Sequence, residues 1–241
     1  MSTNIADNLM RVNQRIQDAS AACNRDHNDI HLLAVSKTKP VSDVLLAYEN
    51  GQRDFGENYV QEGVKKIQEL AEFSDIVWHF IGPLQSNKSK FIAEYFDWMH
   101  SLDRFKIAKR LNDQRSAHQS PLNICIQVNI DNEETKAGVS EEDVEALIEQ
   151  IQGLSRITCR GLMTIPKASD SKMQQRQSLE KMQDLFKRCQ ARFPDLDTLS
   201  MGMSNDLDLA IACGSTMVRV GTDIFGKRAQ APTKTKERHD F

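Results

Sequence analysis

Short apolar runs of strand length alternate with amphipathic stretches of helical period from one end of this chain to the other. No other feature constrains the fold as tightly, because strands taking turns with helices demand a parallel sheet with right-handed crossovers. Leu9, Val12, Ile16 and Ala19 recur at three-to-four spacing, so residues 5–23 predict a helix ahead of any strand. Strands are then expected at 31–37, 54–58, 76–82, 98–102, 122–130, 157–165, 198–203 and 217–225. Helices are expected between them, at 41–50, 59–70, 87–95, 104–114, 140–154, 172–193 and 206–213. Gly51 and Gly214 stop two of these helices, and Ser140 with Asp143 resembles a capping box.

A chain of 241 residues with this alternation matches the size of a (β/α)8 barrel, roughly 250 residues. The rival architecture, an open doubly wound sheet, would mark its first turn with glycines. That turn reads Ser36-Lys37-Thr38-Lys39-Pro40 and has none. The expectation is an α/β protein built as one TIM-type barrel over residues 1–228, with an extra N-terminal helix. Residues 229–241 form a charged tail, read as a solvated end and not as a nucleic-acid arm.

Composition then excludes several classes. Lys and Arg number 31 against 34 Asp and Glu, a formal charge of −3 that offers no general field for nucleic acid or an anionic membrane. No apolar run nears the ~18–20 residues of a membrane span, and residues 1–25 lack a secretory pattern. Cys23, Cys125, Cys159, Cys189 and Cys213 are odd in number and widely spaced, and the histidines form no ligand pattern. A reduced, cytoplasmic, metal-free protein is expected.

Barrel sites of this kind lie at the C-terminal strand ends. Parity along 122–130 puts Ile124, Ile126, Val128 and Ile130 on the helix-facing side and Cys125 and Gln127 inside. The same parity turns Met217, Arg219 and Gly221 inward, and Lys37 shares a face with Leu33 and Val35. A lysine at an inner strand end either snorkels to the rim or is held as a neutral amine suited to imine chemistry, which Lys39 two residues on would favour. Taken alone, Lys39 reads as solvent-facing. Arg219 requires an acceptor, either a structural carboxylate such as Asp54 or Glu57 or a group on a ligand. Ser204, Gly214, Ser215, Gly221 and Thr222 follow strands seven and eight, where barrels hold phosphate; Ser204 reads equally well as a helix cap and Gly214 as a helix stop. An amine, a fixed cation and a phosphate cradle together suit pyridoxal 5′-phosphate, with its aldehyde, ring nitrogen and phosphate.

These residues sit inside longer motifs. Ala34-Val35-Ser36-Lys37-Thr38-Lys39-Pro40, Phe55-Gly56-Glu57-Asn58-Tyr59-Val60-Gln61-Glu62 and His79-Phe80-Ile81-Gly82-Pro83-Leu84-Gln85-Ser86-Asn87-Lys88 come first. Gly161-Leu162-Met163-Thr164, Ser200-Met201-Gly202-Met203-Ser204 and Gly214-Ser215-Thr216-Met217-Val218-Arg219-Val220-Gly221-Thr222 follow in order. In them the chain resembles the pyridoxal phosphate homeostasis proteins (the YggS/PROSC family), from about residue 5 to residue 228. The resemblance implies a barrel related to the N-terminal barrel of alanine racemase, with the cofactor held on Lys37 as a Schiff base. It implies Arg219 beside the pyridine nitrogen, Ser204, Gly221 and Thr222 at the phosphate, Asn58 and Met201 lining the pocket, and Lys136 assisting cofactor exchange. Asp223 departs from the small residue expected after Thr222 and adds a carboxylate at the mouth.

An arginine beside the ring nitrogen keeps it unprotonated and makes the ring a poorer electron sink. In the racemase resemblance a second base comes from another domain, for which this chain has no residues left. The expected function is to hold, buffer and deliver pyridoxal phosphate, maintaining vitamin B6 and amino-acid homeostasis, as a monomer in transient contact with apoenzymes. The alternatives are a weak pyridoxal phosphate-dependent amino-acid racemase, with water or Lys136 as partial second base, and a barrel binding another phosphorylated metabolite without a covalent link.

Overall fold

Eight parallel strands pair in sequence order and close on themselves, β8 against β1, in the computed structural model, which describes residues 4–167, 169 and 171–227. The strands are β1 (His31–Val35), β2 (Asp54–Glu57), β3 (Val77–Phe80), β4 (Trp98–Leu102), β5 (Leu122–Gln127), β6 (Ile157–Met163), β7 (Thr198–Met203) and β8 (Met217–Val220). Helix α1 (Ile5–Ala22) precedes them. The crossovers are α2 (Val41–Glu49), α3 (Val60–Glu69), α4 (Ser89–Tyr95), α5 (Phe105–Gln114), α6 (Val144–Gln152), α7 (Lys172–Arg192) and α8 (Leu207–Ala212). The α/β barrel inferred from the alternation is the observed fold. The tail at 229–241 lies outside the described residues.

Burial follows the expected parity. Ile124, Ile126 and Val128 are buried in the apolar layer between sheet and helices. Along α1 the buried side chains Ile5, Leu9, Val12 and Ile16 form one stripe, against which α2, α8 and the last helix pack. Asn4 caps α1 by accepting from the Asp7 N–H at 3.2 Å.

Three local expectations are corrected. The last strand does not run to residue 225: β8 stops at Val220, and after Gly221 the chain turns into a short helix, α9 (Thr222–Phe225). Ser140 is no capping box, because its hydroxyl donates to the Asp143 carboxylate at 2.6 Å and no side-chain bond reaches a backbone N–H. A 3-10 turn over Glu141–Asp143 opens that helix instead. The first, third, fifth and sixth strands also end two or three residues early, where the chain leaves the ladder to build the mouth.

Candidate functional site

Where β1, β2, β7 and β8 end, Lys37, Asn58, Ser204, Arg219, Gly221 and Thr222 line one cavity of about 490 Å³. Val35, Ile81, Met163, Ile165 and Met203 give it an apolar wall, and Asn205 and Asp223 join the polar side. Six residues expected from strand-end position or motif thus converge. Met201 is placed differently: it is fully buried in the apolar layer, while Met203 faces the cavity. Met201 follows the ordinary alternation from inward-facing Ser200, and a register shift in β7 between Ser200 and Met203, at Gly202 with φ +93°, brings Met203 round to the cavity. A bulge breaks the two-residue alternation from which facing is read.

Lys37 leaves β1 on a turn clamped from below. The Lys66 ammonium, almost wholly buried, donates to the Ser36 carbonyl at 2.8 Å and to Glu57 Oε1 and Glu62 Oε1 at 2.7 Å each. Ser36 Oγ donates to the same Glu57 oxygen at 2.6 Å, and the Thr38 N–H donates to Glu62 Oε1 at 2.6 Å. Thr38 adopts φ +63°, a left-handed conformation unusual for a β-branched residue, so this clamp holds strained backbone next to Lys37. Burial pushes the Glu57 carboxyl above its ordinary pKa, against the pull of Lys66 and Ser36. Lys39 is not solvent-facing: its ammonium donates to the carbonyls of Phe225 at 2.7 Å and Lys227 at 3.1 Å, latching the end of α9.

Arg219 is buried, and neither Asp54 nor Glu57 is its partner. Nη1 donates to the Ser200 carbonyl and to Ser200 Oγ, each at 2.8 Å, and Nη2 donates to the Thr164 carbonyl at 2.9 Å. Burial lowers its pKa to about 10, which leaves it a cation at neutral pH. Nε–H and the second Nη2–H make no protein hydrogen bond among the described residues, on a group that lines the cavity. Asn58 Oδ1 is likewise buried without a partner. Its own carbonyl lies 2.1 Å from where a Cβ on Gly82 would stand, so only glycine lets β3's end approach this closely.

The expected phosphate cluster divides. Ser204 and Thr222 present hydroxyls without protein partners among the described residues, and the N–H groups of Ile224 and Phe225 fold back onto the Gly221 carbonyl. Ser204 is not a cap, since α8 starts at Leu207 after Asp206, whose carboxylate accepts from the Met203 N–H at 2.7 Å. Gly214 stops α8 with φ +89°, and Ser215 is buried, its hydroxyl shared among the carbonyls of Leu199, Met201 and Met217. Neither lines the cavity. Asp223 does, but Arg15 from α1 stands 3.6 Å from it, pairs with Asp208 at 2.8 Å and donates to the Ser204 carbonyl at 2.7 Å. Lys136 sits outside the lining, paired with Glu133 at 2.6 Å and donating to the Pro166 carbonyl at 3.0 Å, next to Ile165.

A buried pair not expected from the sequence, His79 and His100, brings Nδ1 of the first within 3.0 Å of Nε2 of the second, the rings edge-on to each other. Strand parity carried the signal, since His79 shares a face with the lining residue Ile81. Among the described residues no group of His, Cys, Asp and Glu could hold a metal ion, and no helix is long and apolar enough to cross a membrane.

The family model for the alanine racemase N-terminal domain matches residues 7–229. A pyridoxal phosphate homeostasis protein of Haemophilus influenzae is 50% identical, over 97% of this chain and 100% of the relative. One of Escherichia coli K12 is 50% identical, over 93% and 97%. Among solved structures, PipY of Synechococcus elongatus with pyridoxal phosphate bound is 34% identical and superposes with a TM-score of 0.78, over 92% of this chain and 100% of that one. An alanine racemase of Clostridium difficile shares the fold alone, at 15% identity and a TM-score of 0.71, over 95% of this chain and 58% of that one.

Proposed function

The chain belongs to the alanine racemase N-terminal domain family and, within it, to the pyridoxal phosphate homeostasis proteins, and on that premise we propose that it holds pyridoxal 5′-phosphate on Lys37 and passes it on. The observation carrying the proposal is convergence: an amine, a guanidinium with N–H groups to spare and two hydroxyls without partners among the described residues line one cavity. Its volume, about 490 Å³, suits a small cofactor. The orphaned Asn58 Oδ1 adds an acceptor that a ligand donor would satisfy.

Lys37 would hold the cofactor as an imine, with Arg219 toward the ring nitrogen and Ser204, Gly221 and Thr222 toward the phosphate. Bound there, pyridoxal phosphate supplies an electron sink for amino-acid chemistry. Arg219 limits that use, because a guanidinium that remains protonated can only donate to the ring nitrogen and cannot protonate it fully. We therefore read the protein as a carrier and buffer, with any racemase-type turnover weak. In that role a single chain in the cytoplasm meets apoenzymes transiently, and Lys136, one residue back from the lining, assists exchange.

Borohydride reduction of the loaded protein followed by peptide mapping tests the link. Label confined to Lys37, and lost in Lys37→Ala along with the imine absorbance, is expected. A Lys37→Ala protein that keeps its chromophore as firmly overturns it. Isotope exchange at the α-carbon of alanine tests the carrier reading, which turnover at ordinary enzyme rates would sink.

A further inference from the structure

Barrel interiors of this class are filled chiefly by branched aliphatic side chains. This one is crossed by polar groups in contact. Asp54 Oδ1, on the first residue of β2, lies 2.9 Å from His79 Nε2 on β3. His79 Nδ1 lies 3.0 Å from His100 Nε2 on β4, and His100 Nδ1 lies 3.0 Å from Ser200 Oγ across the barrel on β7. Ser200 Oγ accepts from Arg219 Nη1 at 2.8 Å. His79, His100 and Ser200 are fully buried, whereas the Asp54 side chain is 29% exposed at the end of the barrel opposite the cavity.

The proton positions follow from the two ends. A guanidinium can only donate, so Ser200 Oγ accepts from Arg219 and its one hydrogen is available for His100 Nδ1. His100 then carries its proton on Nε2 and donates to His79 Nδ1, and His79 donates from Nε2 to the Asp54 carboxylate. Every member is satisfied with both imidazoles neutral, and all the bonds point one way. We propose that Ser200, His100, His79 and Asp54 form a one-directional hydrogen-bond relay that positions Arg219 and anchors it, across the barrel, to a carboxylate at the opposite end.

Independent features agree with this arrangement. Burial, with His79 and Arg219 nearby, holds His100 well below the ordinary histidine pKa, which favours the neutral ring the relay needs. Trp98 stacks on His79 with centroids 5.4 Å apart and planes 11° from parallel, fixing that ring. The two Ser200 bonds to Arg219 Nη1 leave Nε–H and one Nη2–H as the donors it can offer a ligand. The inference deepens the reading above, in which those donors meet the ring nitrogen, but the relay itself is a property of the protein without cofactor.

Its test therefore starts from unloaded protein labelled with 15N in its histidines. Both His79 and His100 are expected as neutral Nε2–H tautomers; a protonated Nδ1 on either ring overturns the relay. Ser200→Ala then removes the one link between His100 and Arg219. It should strip His100 Nδ1 of its donor and move that nitrogen's 15N resonance, while the Nε2–H tautomer stays held from the Asp54 side. It should also weaken pyridoxal phosphate binding by about tenfold, as a lost hydrogen bond to a charged group does. The absorbance maximum of bound pyridoxal phosphate should shift with it, which a packing defect alone would not cause. Unchanged affinity and an unchanged maximum in Ser200→Ala would remove the relay's role in positioning Arg219. If borohydride fails to label Lys37 while the tautomers are found, the cofactor reading falls and the relay stands.

Discussion

Glu57 anchors the turn that presents Lys37, and its carboxylate stands where ionisation is unfavourable. It is fully buried, one oxygen serves both Lys66 and Ser36, and the other has no partner. A raised folded pKa means that the folded state holds the proton more tightly than the unfolded chain does. The stability this contributes is complete below the ordinary value of 4.5 and is lost as pH rises through the raised one. Glu57→Gln keeps the shape and cannot ionise. Wild-type stability minus that of Glu57→Gln should therefore fall with pH from 4.5 upward, by at most about 1.4 kcal/mol per pH unit, in urea unfolding at each pH. A flat or rising difference would show that Lys66 outweighs burial. Lys66→Met, which strands the buried carboxylate, should cost about 3–5 kcal/mol, and adding Glu57→Gln should recover part of the loss.

Among the elements, α1 was legible as a helix but not as a strap. Its apolar stripe announced itself by period, whereas Arg15 on its polar side gave no sign of reaching Ser204, Asp208 and Asp223, far along the chain beyond β7. That reach sets a cation against the carboxylate that Asp223 adds at the mouth. Both partners of the Arg15–Asp223 pair are partly exposed, so Arg15→Ala should cost no more than about 1 kcal/mol of stability. Its effect on binding should be larger, weakening pyridoxal phosphate several-fold at low salt and less at high salt, where screening mutes the uncovered charge. Equal loss at all ionic strengths would assign Arg15 to shaping the Ser204 loop alone. The departures have local causes. Gly202 breaks the parity of β7 and turns Met203 into the cavity, whereas Met201, expected there only from the resemblance, stays in the apolar layer. The apolar residues Ile224 and Phe225 continue a strand-like run although the backbone has already turned into α9.

At the scale of the molecule, the barrel was readable because eight strand–helix alternations in a chain this long leave few other solutions, while its polar interior was not. Asp54, His79 and His100 meet as the neighbouring strands β2, β3 and β4 pair, but Ser200 on β7 reaches His100 only when the sheet closes, so the closure that completes the fold also completes the relay. A structure closed in this way should open as a unit, and its thiols report on that. Cys125 on β5, Cys189 on α7 and Cys213 after α8 are buried, and burial pushes the Cys159 thiol on β6 up to about 12 and Cys189 up to about 11. Thiolate chemistry at the three buried positions requires opening. With a disulfide reagent under native conditions, half-buried Cys23 should react first, and Cys125, Cys189 and Cys213 later at one shared rate. Pyridoxal phosphate at a hundred times its dissociation constant should slow all three about a hundredfold, because ligand bound only to the closed barrel shifts the opening equilibrium by that factor. Lys37→Ala, assayed at the same concentration, should lose most of this protection at all three sites together. Protection confined to Cys213, next to the mouth strands, would mean that the cofactor steadies only the β7–β8 side and that the barrel opens in parts.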